Sequence, residues 1–156
     1  MSIRFVITPI YMTEVDFHIL AQQNEHERLF YTCRLINKIF KQSLNVIVVC
    51  NDSEHVKQLS DLLWHFKEDA FIPHEIEFAQ TSTIQLLVIN KDYEQLHDFH
   101  DVCINLSPDV PSYFGQFNRL LEVVCQSEPV LAATREHYRF YQSRGYPIIQ
   151  HDLRSR

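Results

Sequence analysis

Glycine is almost missing from the chain: Gly115 and Gly145 are the only two in 156 residues. That excludes sites built on a glycine-rich loop, because backbone amides close around a phosphate only where no side chain intervenes. No C-x-x-C pair joins Cys33, Cys50, Cys103 and Cys125, which stand far apart among apolar neighbours. Zinc-ribbon and dithiol redox chemistry are excluded with it, and buried free thiols in a reducing cytoplasm are expected. Long apolar runs are missing as well. The longest, Val46 to Cys50, is far short of a membrane span, and the N-terminus lacks the charged-then-apolar layout of a signal peptide.

With 46% hydrophobic and 22% charged residues, the composition is that of a folded soluble protein and not of a disordered one. The length suits one domain, 1–156, able to bury a real core. Net charge is −6, unevenly spread: residues 135–156 hold five arginines against only Glu136 and Asp152, so the rest of the chain is strongly acidic. An acidic body repels nucleic-acid phosphate, so no direct nucleic-acid contact is expected, whereas the basic end suits an acidic peptide.

Taken in order, Ser2 to Ile10 alternates around Ile3, Phe5 and Ile7 and reads as a first strand. Glu25 to Gln42 is an amphipathic helix with Leu29, Cys33, Ile36 and Phe40 on one side. The β-branched run Leu44 to Cys50 reads as a buried parallel strand. Asn51-Asp52-Ser53 caps a second helix lined by Val56, Leu59, Leu63 and Phe66. Ile84 to Ile89 and Val102 to Leu106 are further strands, joined by the polar connection Asn90 to Asp101. Phe114 to Cys125 fits both patterns, and its β-branched end favours a strand. Ser127-Glu128-Pro129 opens a helix running to about Ser143, which Gly145 terminates, and Tyr146 to Gln150 is a last strand. Strand–helix alternation predicts an α/β, Rossmann-like layered sheet, mostly parallel, with helices on both faces.

Such a fold invites a nucleotide, with Asp52 as the ribose-binding acid, but the first strand-to-helix turn carries none of the fingerprint glycines and no P-loop lysine exists. His97-x-x-His100 has the spacing of a helical metal clasp, without a third ligand in view, so no metal and no cofactor are expected. No nucleophile–base pairing emerges, and no catalytic residue is assigned. Trp64, at a helix end, reads first as core. Phe71, beside Pro73 in a loop, reads equally as core or as an interface anchor. On the final helix Arg135, Tyr138, Arg139 and Gln142 stand at i, i+3, i+4 and i+7 and share a face. Two guanidiniums flanking a phenol suit a carboxylate beside an apolar group; an ordinary solvated face with i, i+4 pairs is the alternative.

Trp64, the segment Phe71-Ile72-Pro73-His74, Ile104-Asn105-Leu106-Ser107, Phe117-x-x-Leu120-Leu121-Glu122-Val123-Val124 and Arg135-Glu136-x-Tyr138-Arg139-x-Tyr141 with Gly145-Tyr146 follow one another in order. In that succession the chain resembles, over essentially its whole length, the chi-subunit family of bacterial DNA polymerase III, part of the clamp-loader complex. The resemblance implies a Rossmann-like fold without nucleotide chemistry, in a cytoplasmic, non-catalytic replication subunit. It implies two binding faces: Trp64 and Phe71 towards the psi subunit, for which an XPD-like helicase competes, and Val124, Arg135, Tyr138 and Arg139 towards the acidic C-terminal tail of single-stranded DNA-binding protein. Lysine is the family alternative at position 139; arginine keeps the charge and changes the hydrogen-bond geometry.

Overall fold

In a computed structural model that describes residues 12–65, 72–78 and 82–155, β1 (Glu14–Ile19) leads into α1 (Glu25–Lys41). Then follow β2 (Val46–Cys50), α2 (Ser53–His65), the two-residue β3 (Glu75–Ile76), β4 (Ile84–Val88), β5 (Val102–Asn105), β6 (Arg119–Val124), α3 (Glu128–Ser143) and β7 (Ile148–Asp152). The strands form one parallel sheet in the order β3-β4-β2-β5-β6-β1-β7. Short 3-10 turns cover Glu94–Asp98 and Phe114–Gln116.

β2 explains the layering. Val46, Val48 and Cys50 join the core under α1 and α2, while Ile47 and Val49 join the core under α3. A parallel strand covered on both faces has no polar side to show, hence the unbroken apolar run. α1 starts where the Asn24 side chain accepts the Glu27 N–H at 2.8 Å, and α2 where the Asp52 carboxylate accepts the His55 N–H at 2.9 Å. Ser127 occupies the capping position of α3 without a side-chain cap bond. All four cysteines are free and buried; burial pushes the Cys33 and Cys50 thiols up to about 12, which leaves them unreactive. No helix among the described residues is long and apolar enough to cross a membrane.

Several elements depart from the sequence reading. The strand expected at Ser2 to Ile10 lies outside the described residues, and so do Phe66 and Phe71. The strand that enters the sheet before α1 is Glu14–Ile19, whose alternation puts Asp16 and His18 on a side that is buried all the same. There Arg119 donates to Asp16 at 2.9 Å, the Tyr31 hydroxyl bonds His18 Nδ1 at 2.8 Å, and burial holds the His18 ring far below its usual value, at about 3. The final strand is displaced from Tyr146–Gln150 to Ile148–Asp152, because Tyr146 is committed to the end of α3. Its N–H bonds Tyr141 O and its ring packs on Phe114 at 5.0 Å. The doubtful stretch from Phe114 to Cys125 divides into a 3-10 turn and a strand.

Candidate functional site: an arginine-rimmed hollow beside α3

The inner side of α3 is fixed by a buried acid. Glu122 on β6 receives the Tyr141 hydroxyl at 2.6 Å and the Asn105 amide at 3.0 Å, while His137 Nδ1 lies 3.1 Å from both carboxylate oxygens. The other ring nitrogen of His137 reaches Pro108 O at 2.8 Å. With the helix rotation locked this way, Arg135, Tyr138 and Arg139 face outward over β1, β6 and β7.

Those three side chains meet Val124 around a hollow of about 310 Å³. Phe17, Ile19, Val124, Leu131 and Tyr138 supply its apolar lining, and Gln126, Thr134, Arg135, Arg139, Gln150 and Arg154 its polar rim. Tyr138 leans on Phe17 with ring centroids 5.6 Å apart, which holds the phenol as a wall. Arg135 pairs with Glu128 at 3.4 Å, Arg154 with Asp152 at 2.6 Å, and Arg139 with Glu136. The Arg135 and Arg139 side chains remain 56% and 66% exposed. Pairs this exposed are weak, which leaves the guanidiniums open to exchange for another carboxylate. The Asp152 carboxyl, with Arg154 bonded to it, is held down to about 2. Chemically the hollow accepts a benzyl-sized group below and a carboxylate above.

Gln142, on the same helical face, is exposed and does not line the hollow. Phe17, Ile19, Gln150 and Arg154 also line it, and no local sequence spacing marks them; only the C-terminal run of arginines points towards Arg154. Trp64 is not core: it is 45% exposed at the end of α2, with its ring 5.1 Å from His74. The segment next to it is firmly anchored, since Ile72 is buried and His74 bonds Ser60 at 2.8 Å and Ile72 O at 2.9 Å. His97 and His100 turn to different carbonyls, Glu94 O and Gln116 O, and do not form a clasp.

A second cavity, about 370 Å³, opens beyond the C-terminal ends of β2 and β5, where this fold type holds ligands. Glu25, Asp52 and Glu54 line it. The guanidinium of Arg28, also in its wall, is already donated to Val123 O, Leu106 O and Glu25, and Asp52 serves as a helix cap. The three carboxylates of this lining are unfavourable neighbours for a phosphate.

The family described as DNA polymerase III chi subunit, HolC, matches residues 12–149. A DNA polymerase III subunit chi of Pseudomonas aeruginosa is 32% identical over 142 residues, covering 91% of this chain and 98% of that protein. The Haemophilus influenzae subunit chi is 20% identical, covering 85% and 92%. Among solved structures, T4 UvsW superimposes with a TM-score of 0.58 at 8% identity, over 95% of this chain and 43% of that one. Mss116p DEAD-box helicase domain 2, bound to an RNA duplex, gives 0.56 at 12%, over 88% and 64%. Identities that low speak for the fold alone.

Proposed function

We propose, starting from the fact that the chain belongs to the DNA polymerase III chi subunit family of replication accessory subunits, that it is a cytoplasmic, non-catalytic bridge. One face grips the acidic C-terminal tail of single-stranded DNA-binding protein through Val124, Arg135, Tyr138 and Arg139. The other, with Trp64 and Phe71, docks the psi subunit and so the clamp loader; an XPD-like helicase competes for it. The observation that carries the reading is the hollow itself, an apolar floor beneath exposed guanidiniums.

A tail ending in phenylalanine would place its ring between Val124 and Tyr138, a burial worth roughly 1.5–3 kcal/mol. Its terminal carboxylate would exchange the exposed acid partners of Arg135 and Arg139 for a forked bond over a dry floor. The acidic residues upstream would meet Arg154 at the rim. The acidic lining of the second cavity supports a role without nucleotide chemistry.

The test is titration of the full chain with a tail peptide. Arg135→Ala is expected to raise Kd at least about tenfold, the loss of one charge-assisted contact, with an unchanged circular dichroism spectrum. A peptide lacking its last phenylalanine is expected to lose more than that. Equal affinity of wild type and Arg135→Ala would remove the hollow from the argument.

A further inference from the structure

Away from the arginine-rimmed hollow, on the sheet face covered by α1, Asp16 Oδ1 and His18 Nε2 make no hydrogen bond and lie beside His151, whose Nε2 reaches only the far Asp16 oxygen, Oδ2, at a long 3.5 Å. Ligand atoms from these residues all fall within 4.8 Å of one another. Asp16 and His18 alternate on β1, and His151 sits opposite His18 in the register of the edge strand β7. Asp16 and His18 are fully buried, while the His151 side chain is 23% exposed. Buried polar atoms without partners are costly and rare in native proteins, so Asp16 Oδ1 and His18 Nε2 side by side require a reason.

The surroundings fix Asp16 and His18, and leave His151 as the member that can move. Arg119 Nη1 occupies Asp16 Oδ2 at 2.9 Å, which leaves Oδ1 as the available carboxylate oxygen. Tyr31 occupies His18 Nδ1 at 2.8 Å; when its hydroxyl oxygen accepts, Nε2 carries the lone pair of the ring. Such outer contacts orient ligands in known metal sites. The His18 and His151 rings are stacked with centroids 4.5 Å apart, so their in-plane lone pairs run side by side and converge on one ion only once His151 rotates out of the stack.

We propose that Asp16, His18 and His151 form a binding site for a zinc-like divalent transition ion that clips the edge strand β7 onto β1. Two imidazoles and one carboxylate suit borderline-soft ions, not calcium or magnesium, and leave a fourth position to water. Metal–ligand bonds of about 2.0–2.1 Å put tetrahedral ligand atoms roughly 3.3 Å apart, so the site closes by rotation of His151, the member nearest solvent, out of its stack on His18. Arg119 opposes the ion's charge and Glu14, 3.1 Å from that guanidinium, offsets it, which sets a moderate affinity. The site has a reach beyond itself: β7 carries Gln150 and leads to Arg154, both on the rim of the hollow across the sheet.

The experiment is titration of the chelator-treated full chain with Zn²⁺ against a chromophoric competitor, repeated with Co²⁺. One ion per chain is expected, and Co²⁺ should develop the visible absorption of a four-coordinate site. His151→Ala, chosen because this side chain touches solvent, should keep the fold by circular dichroism and weaken Zn²⁺ at least about tenfold, since losing a ligand costs no less than losing a contact behind one. The double change His97→Ala with His100→Ala should leave the affinity as it is. Affinity unchanged in His151→Ala, loss of binding in the His97 and His100 variant, or no four-coordinate Co²⁺ spectrum would each overturn the assignment.

Discussion

Glu122 is 3% exposed and surrounded by donors: the Tyr141 hydroxyl, the Asn105 amide and His137, whose second nitrogen faces a carbonyl. Both His137 nitrogens therefore meet acceptors, an arrangement that fits the charged ring. Burial alone would discharge it; the hydrogen bond and charge of Glu122 outweigh burial, and the His137 pKa ends above its ordinary 6.5. A pKa raised by folding contributes stability that is complete below the unfolded value and fades as pH climbs through the folded one. Glu122→Gln removes that attraction, so burial discharges the ring and the buried ion pair is lost, at about 3 kcal/mol. Urea unfolding of wild type and variant across pH should show this gap widest below about pH 6.5 and shrinking above it. A gap constant from pH 6 to 9 would mean the ring is neutral throughout.

Elements are ended by single residues as much as by patterns. At the end of α3 Gly145 has φ +77°, its N–H bonds Gln142 O, and the next N–H, of Tyr146, bonds Tyr141 O, a paired closure that favours glycine. A Cβ there would meet nothing within 4 Å, so the cost of Gly145→Ala is backbone strain alone. About 1 kcal/mol is expected, a Tm lowered by roughly 2–4 °C, with Gly145→Asn milder. This ending was legible from sequence because glycine is so scarce, and β2 and α1 because their periods are unmixed. β1 was not. Asp16 and His18 give Glu14–Ile19 the look of a half-solvated strand or a loop, and only the cover of α1 and the bonds from Arg119 and Tyr31 make it a buried one. The hollow divides along the same line. Arg135, Tyr138 and Arg139 follow from helical spacing, and Val124 from the family likeness. Phe17, Ile19 and Gln150 come from strands that only the sheet order brings alongside, which no local period encodes.

Across the whole molecule, the strand order sets the distance between the two proposed faces. β3 and β7 are the two edges, six inter-strand steps apart, or roughly 29 Å at about 4.8 Å a step. Trp64 ends α2, which packs on the β2–β4 side, whereas the hollow lies between α3 and the β6-β1-β7 side, on the opposite face of the sheet. Sites over different strands and on opposite faces of the sheet, sharing no partner, are expected to be energetically independent. Trp64→Ala, an exposed position, should therefore abolish co-purification with a psi subunit while leaving tail-peptide Kd within about twofold. Arg135→Ala should do the reverse, and the double variant should show both losses without a third. Salt separates the faces further. The hollow depends on exposed guanidiniums screened within about 8 Å at physiological ionic strength, so tail binding should weaken steadily as salt rises. Docking through Trp64 buries an apolar ring and should persist. Were Trp64→Ala to weaken the tail as well, with the fold intact, the two faces would be one coupled surface, and a bridge holding both partners at once would be the wrong picture.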